Sequence, residues 1–157
     1  MSFVIRGLSP APFLPLFALD DDALAARNVR RVVADADRGF PCRLSLEDAT
    51  QGETLLLLPW DHHDVAGPYR ASGPIYVREA ATQRAPARFH DALPFAFLHR
   101  LLSLRAYDGD GMMRGAEVVQ GEDAAPELTR LLAIPGVAYL HIHNARPGCY
   151  AARVDPA

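Results

Sequence analysis

The chain has no lysine: all 16 of its basic residues are arginine, set against 19 acidic ones for a formal charge of −3. An excess of that sign, with a pI near 6.0, excludes the sequence-independent grip on nucleic acid that needs a cationic patch to displace condensed counterions. Arg30 and Arg31 make too short a run to change this. Uninterrupted apolar stretches are also missing. None approaches the ~18 residues of a membrane span, and Pro10, Pro12 and Pro15 break up the opening segment, which lacks a basic start followed by an apolar run. A soluble, cytoplasmic protein is expected, without membrane or nucleic-acid partners. Two cysteines, Cys42 and Cys149, are too few for a disulfide framework, and thiols are expected. Also absent are a G-x-S-x-G elbow, a Walker loop, a Rossmann glycine fingerprint and an H-E-x-x-H helix, so nucleotide-binding and zinc-protease readings lose support.

What is present suits one folded unit. At 157 residues, half hydrophobic and 22% charged, the chain can build a core without staples, and a single domain over 1–157 is expected. Phe3 to Leu8 reads as a strand. Ser9 and Pro10 open a helix to about Phe17, Asp20 caps a further helical turn through Ala26, and Val29 to Ala34 is β-branched enough for a strand. The four leucines within Thr54 to Trp60 suggest a strand covered on both faces. Ile75 to Arg78 is another strand. Leu101 to Tyr107 and Met112 to Val119 form a hairpin across Asp108, Gly109, Asp110 and Gly111. That turn resembles a calcium loop only superficially, because the later ligand positions are missing. From Asp123, Ala124, Leu128, Leu131 and Leu132 recur at helical spacing until Pro135 and Gly136. Two strands close the chain, Val137 to His143 and Tyr150 to Val154. The sum is an α+β fold, a mainly antiparallel sheet with a few short helices packed on it.

Four stretches, GFPCRLSLEDA (39–49), PYRASGPIYVRE (68–79), LLSLRAYDGDGMM (101–113) and YLHIHNARPGCYAARV (139–154), resemble in the same order those of a bacterial family known as domain of unknown function 1203. The resemblance covers nearly the whole chain but implies no reaction, substrate or cofactor. PWDHHD (59–64) departs from it, and His63 is given no role.

Chemistry must come from the residues. His141 and His143, two apart on a strand, project from one face while Leu140 and Ile142 face the core. With a third ligand from His62, Asp61 or Cys149 they could hold a metal. They could equally be polar residues on a half-exposed sheet face. Arg43, Tyr69, Arg70, His141, His143 and Asn144, with Arg146 nearby, could instead orient a carboxylate or phosphate. Against that, Arg43, Arg70 and Arg78 have Asp48, Glu47 and Glu79 within reach as structural partners. Cys42 and Cys149 lie in turns where a neighbouring His or Arg could populate a thiolate, although free cysteines are commonly inert core residues. Phe89, Phe95 and Phe97 are expected in the core, and Trp60 there or against a pocket. Three readings follow: a binding module for a small anionic metabolite, a metal-assisted or thiol-dependent enzyme, and a protein-interaction or structural role.

Overall fold

A computed structural model describes residues 1–157. Nine strands form two sheets: β1 (Phe3–Arg6), β2 (Arg30–Val33), β3 (Thr54–His63), β4 (Ala71–Arg78), β5 (Arg88–His90), β6 (Leu101–Tyr107), β7 (Met113–Gln120), β8 (Tyr139–Asn144) and β9 (Tyr150–Pro156). The larger sheet runs β5-β1-β9-β8-β6-β7 and the smaller β2-β3-β4, with every ladder antiparallel. Three short α-helices accompany them: α1 (Asp21–Ala25), α2 (Phe95–Leu98) and α3 (Ala124–Leu132). The fold is α+β, as the alternation of short strands and turns implies.

Helix α3 forms because Ala124, Leu128, Leu131 and Leu132 share one stripe, and all four are buried. The stripe covers one face of the large sheet, where it meets Leu102, Leu104, Leu140 and Ile142. Each fully buried leucine contributes about 1.5–3 kcal/mol of transfer free energy. A second core, built from Leu56, Leu58, Ile75 and Val77 with Phe13, Leu24 and Leu44, joins the small sheet to the N-terminal segments. The leucine run is the central strand of that sheet, between β2 and β4. It continues beyond Trp60 to His63.

The helix expected from Ser9 to Phe17 is instead a single 3-10 segment, Leu14–Ala18. Pro12 and Pro15 have no amide hydrogen to donate, so an α-helical ladder cannot be completed there. Asp20 does cap α1, accepting a 2.8 Å bond from the amide of Ala23. Strand β5 and helix α2 escaped the reading of the sequence because three or four residues are too few to show a period. Phe97 is core, whereas Phe95 is 69% exposed: it opens α2 directly after Pro94 and packs edge-on against His99 instead. In the β6–β7 turn, the Asp108 carboxylate accepts from the amides of Asp110 and Met112 and from Arg114. It is committed to fixing the hairpin.

Leu104 has no exposed surface and lies in the large-sheet core, so Leu104→Ala should cost about 2–5 kcal/mol. The check is a urea titration, in which the midpoint should fall with the slope unchanged.

Candidate functional site

Strand β8 is buried at all six positions. One face carries Leu140 and Ile142 into the α3 core; the other carries Tyr139, His141 and His143 towards the end of β3. The register of β3 on β4 shifts between Trp60 and His63. Such a bulge breaks the strict alternation of a strand, and both His62 and His63 reach this face. His62 lies 5.1 Å from His143 and 6.2 Å from His141 between ring centroids, and His63 lies 5.0 Å from His141. Tyr107, Tyr139 and Tyr150 pack among the four imidazoles. The structure thus brings together His62, His141 and His143, and β8 is far drier than a half-exposed sheet face.

The imidazoles differ in how they are satisfied. His63 Nδ1 is 2.7 Å from the Tyr69 carbonyl and its Nε2 2.7 Å from the Tyr139 hydroxyl. Since a carbonyl only accepts, Nδ1 carries the proton and Nε2 accepts from the tyrosine. His63, which the sequence left without a role, is a fully bonded buried histidine tying the two sheets together. His143 donates through Nδ1 to the Gly148 carbonyl at 3.0 Å, and its Nε2 is buried with no partner, as are Nδ1 of His62 and Nδ1 of His141. Burial disfavours the charged form. Reinforced by His63 and the other histidines, it pushes His141 down to about 2 from the usual 6.5. Burial likewise takes His143 down to about 4, despite the opposing bond to Gly148, and lowers His62. All three are neutral near pH 7.

A cavity of about 680 Å³ opens between the loops at the other end of the site, lined by residues that include Arg43, Arg100, Arg146, Asn144, Cys149 and Tyr76. Arg43 is 2% exposed. It donates to the Tyr150 carbonyl at 2.6 Å, to the Pro41 carbonyl at 2.5 Å and to Cys149 Sγ at 3.1 Å, and desolvation lowers its pKa. The side-chain amide of Asn144, 5% exposed, donates to Cys149 Sγ at 3.7 Å while its Oδ1 has no partner. Cys42 is a buried thiol whose sulfur accepts from the amides of Leu44 and Arg78.

Other candidates lie apart. Arg70 pairs with Asp61 and Asp64 on an exposed loop and does not line the cavity, and neither does Tyr69, whose contribution is its carbonyl on His63. Arg78 pairs with Glu47 and Glu53, whereas Asp48 pairs with Arg100 at 2.6 Å. The acidic partners foreseen for Arg43 are replaced by carbonyls and a sulfur. Trp60 packs on Phe13 at 4.9 Å. Arg146, expected beside the anion-orienting group, does line the cavity, whereas nothing local marks Arg100, because the wall is assembled from segments distant in sequence. Arg105 was also passed over; it lies opposite His141 in the β6–β8 register.

Because both native pKa values lie below the unfolded value, the unfolded chain binds more protons in acid, and stability is lost as pH falls below about 6.5. The contribution of His143 is gone by about pH 4 and that of His141 by about pH 2. Two such groups impose a slope of up to about 2.7 kcal/mol per pH unit. Urea unfolding in chelator should show a marked loss of stability from about pH 7 to about pH 5, flattened in a His141→Gln, His143→Gln variant. Equal stability of the wild type at both values would mean that the imidazoles are hydrated.

No helix is long and apolar enough to cross a membrane. No curated protein and no solved structure matches the chain. A protein-family match spans residues 39–155, which takes in the Arg43 loop, both strands of the histidine cluster and the 144–149 loop. The chain belongs to the family described as Protein of unknown function (DUF1203).

Proposed function

We propose that the protein binds a small anionic metabolite, bearing a carboxylate or phosphate, in the cavity between Arg43 and Arg146. The observation that carries this reading is the charge of the wall: three arginines and no carboxylate line the cavity. Of the three, Arg43 has each of its guanidinium nitrogens engaged by a carbonyl or sulfur acceptor and Arg100 is held by Asp48. Both supply fixed positive potential rather than free forks. Arg146 makes no ion pair within the protein, so its guanidinium is free to take an anion in bidentate fashion. The unpartnered Asn144 Oδ1 calls for a donor, so a ligand with a hydroxyl or N–H near its acid group fits best. Leu57, Pro74 and Tyr76 offer the apolar wall that such pockets use for the remainder of a ligand, and the volume is typical of small-molecule sites. His141 and His143 do not line this cavity, and binding in it requires no chemistry from them.

The test is thermal unfolding with a panel of small hydroxy-carboxylates, amino-carboxylates and sugar phosphates. A ligand at 100 times its Kd adds about 2.7 kcal/mol, or roughly 5–10 °C for a chain of this size. The shift should vanish in Arg146→Ala, shrink in Asn144→Ala and persist in Arg70→Ala, which removes only two exposed ion pairs. An Arg146→Ala variant that responds as the wild type does, or a panel without any responder, would overturn the reading.

A further inference from the structure

Outside the cavity lining, one ring nitrogen from each of His62, His141 and His143 lies within 4.8 Å of the other two. All three side chains hold a buried ring nitrogen that nothing in the protein satisfies. One such atom costs about 1–3 kcal/mol, and native structures carry few of them. Three histidines that carry such atoms and meet from two different sheets are the arrangement expected where a bound species supplies the missing partner. We propose that His62, His141 and His143 form a binding site for a first-row divalent cation, with zinc as the leading case.

The donor set selects that class. Neutral imidazoles suit zinc, copper, nickel and iron, while calcium and magnesium demand oxygen donors. Zinc–nitrogen bonds of about 2.0–2.1 Å hold tetrahedral ligands roughly 3.4 Å apart, so closing the 4.8 Å envelope requires an adjustment of about an ångström or more. His62, the least buried of the trio, can provide it. His143 is already oriented as ligands usually are: the bond from its Nδ1–H to the Gly148 carbonyl fixes the tautomer and leaves Nε2 as a bare lone pair. His63 is excluded, since both of its nitrogens are engaged.

The surroundings also specify the fourth ligand. His141 is flanked across the sheet by Arg105 and Arg153. Arg153 bonds Asp155, which it shares with Arg6, and lies over the Tyr139 ring. Arg105 bonds the Ser103 and Tyr107 hydroxyls and has no carboxylate partner. The nearest acid in sequence, Asp61, is exposed and faces Arg70 at 3.6 Å. A dication held by three neutral ligands beside an unpaired guanidinium lacks countercharge, so its open position takes an anion: hydroxide or the carboxylate of a small ligand.

The experiment uses full-length, untagged protein stripped with chelator and then titrated with cobalt(II) and zinc(II). The wild type should bind one equivalent, giving the intense visible bands of four-coordinate cobalt. His141→Gln and His143→Gln should each weaken binding by more than about 100-fold, beyond the ~10–100-fold typical of losing an outer-shell partner. His90→Gln, at an exposed histidine, and Arg146→Ala should bind as the wild type does, separating failure here from failure of the cavity reading. Because buried substitutions can prevent folding, imidazole nitrogen-15 NMR of the wild type provides a second measurement: zinc should shift His62, His141 and His143 and leave the His63 pattern intact. No binding by stripped wild type, equal affinity in the glutamine variants, or shifts confined to other histidines would each overturn the proposal.

Discussion

The complete burial of β8 is the constraint from which the rest of the site follows. A strand that is dry on both faces must satisfy polar side chains from within the protein or leave them unsatisfied at a cost. Its aliphatic face meets that condition trivially against α3. Its other face carries two imidazoles into a space closed by the end of β3, and there the protein uses neutrality: water is excluded, the protonated forms are disfavoured, and His141 and His143 remain uncharged well into acid. Tyrosines are suitable neighbours for such a face. They provide large apolar area, and at Tyr139 a hydroxyl that serves His63.

Arg43 poses the complementary problem. A guanidinium cannot escape its charge by losing a proton, so burying it requires acceptors on every side. These come from one near neighbour, Pro41, and from two residues more than a hundred positions away, Tyr150 and Cys149. The 39–50 loop is thereby fastened to the start of β9. Carbonyl oxygens and a sulfur leave the charge solvated but uncancelled, which a carboxylate would not have done. Positive potential consequently persists at the cavity wall.

Much of this was legible in the sequence where the signal is local. The alternation Tyr139, Leu140, His141, Ile142, His143 states which residues share a face, and the stripe in α3 states what covers the aliphatic one. The hairpin was visible in its turn, and Asp20 announced its helix. What could not be read is the assembly of distant segments. Nothing near Asp61-His62-His63 signals the bulge that lets successive histidines reach one site, since strict alternation would send them to opposite faces. Arg70 looked like a ligand-binding residue although Asp61 and Asp64, its eventual partners, stood close by in the sequence. Conversely, Arg105 looks ordinary until its lack of an acidic partner is established, and that is a property of the whole fold.

The loop from Asn144 to Cys149 gives the two faces a common element. Its Gly148 carbonyl orients His143, the Cys149 sulfur receives Arg43 and Asn144, and Arg146 and Asn144 face the cavity. The loop is also closed by backbone bonds from Asn144 to the Cys149 carbonyl and from Gly148 to the Asn144 carbonyl, which join these groups in one short turn. An occupant that drew Arg146 and Asn144 inward would therefore load the same short turn that holds the His143 ring. Coupling between two sites needs a shared element whose arrangement both occupants influence. Here that element is six residues long, and it connects a neutral nitrogen face to a cationic cavity without requiring a motion of either sheet.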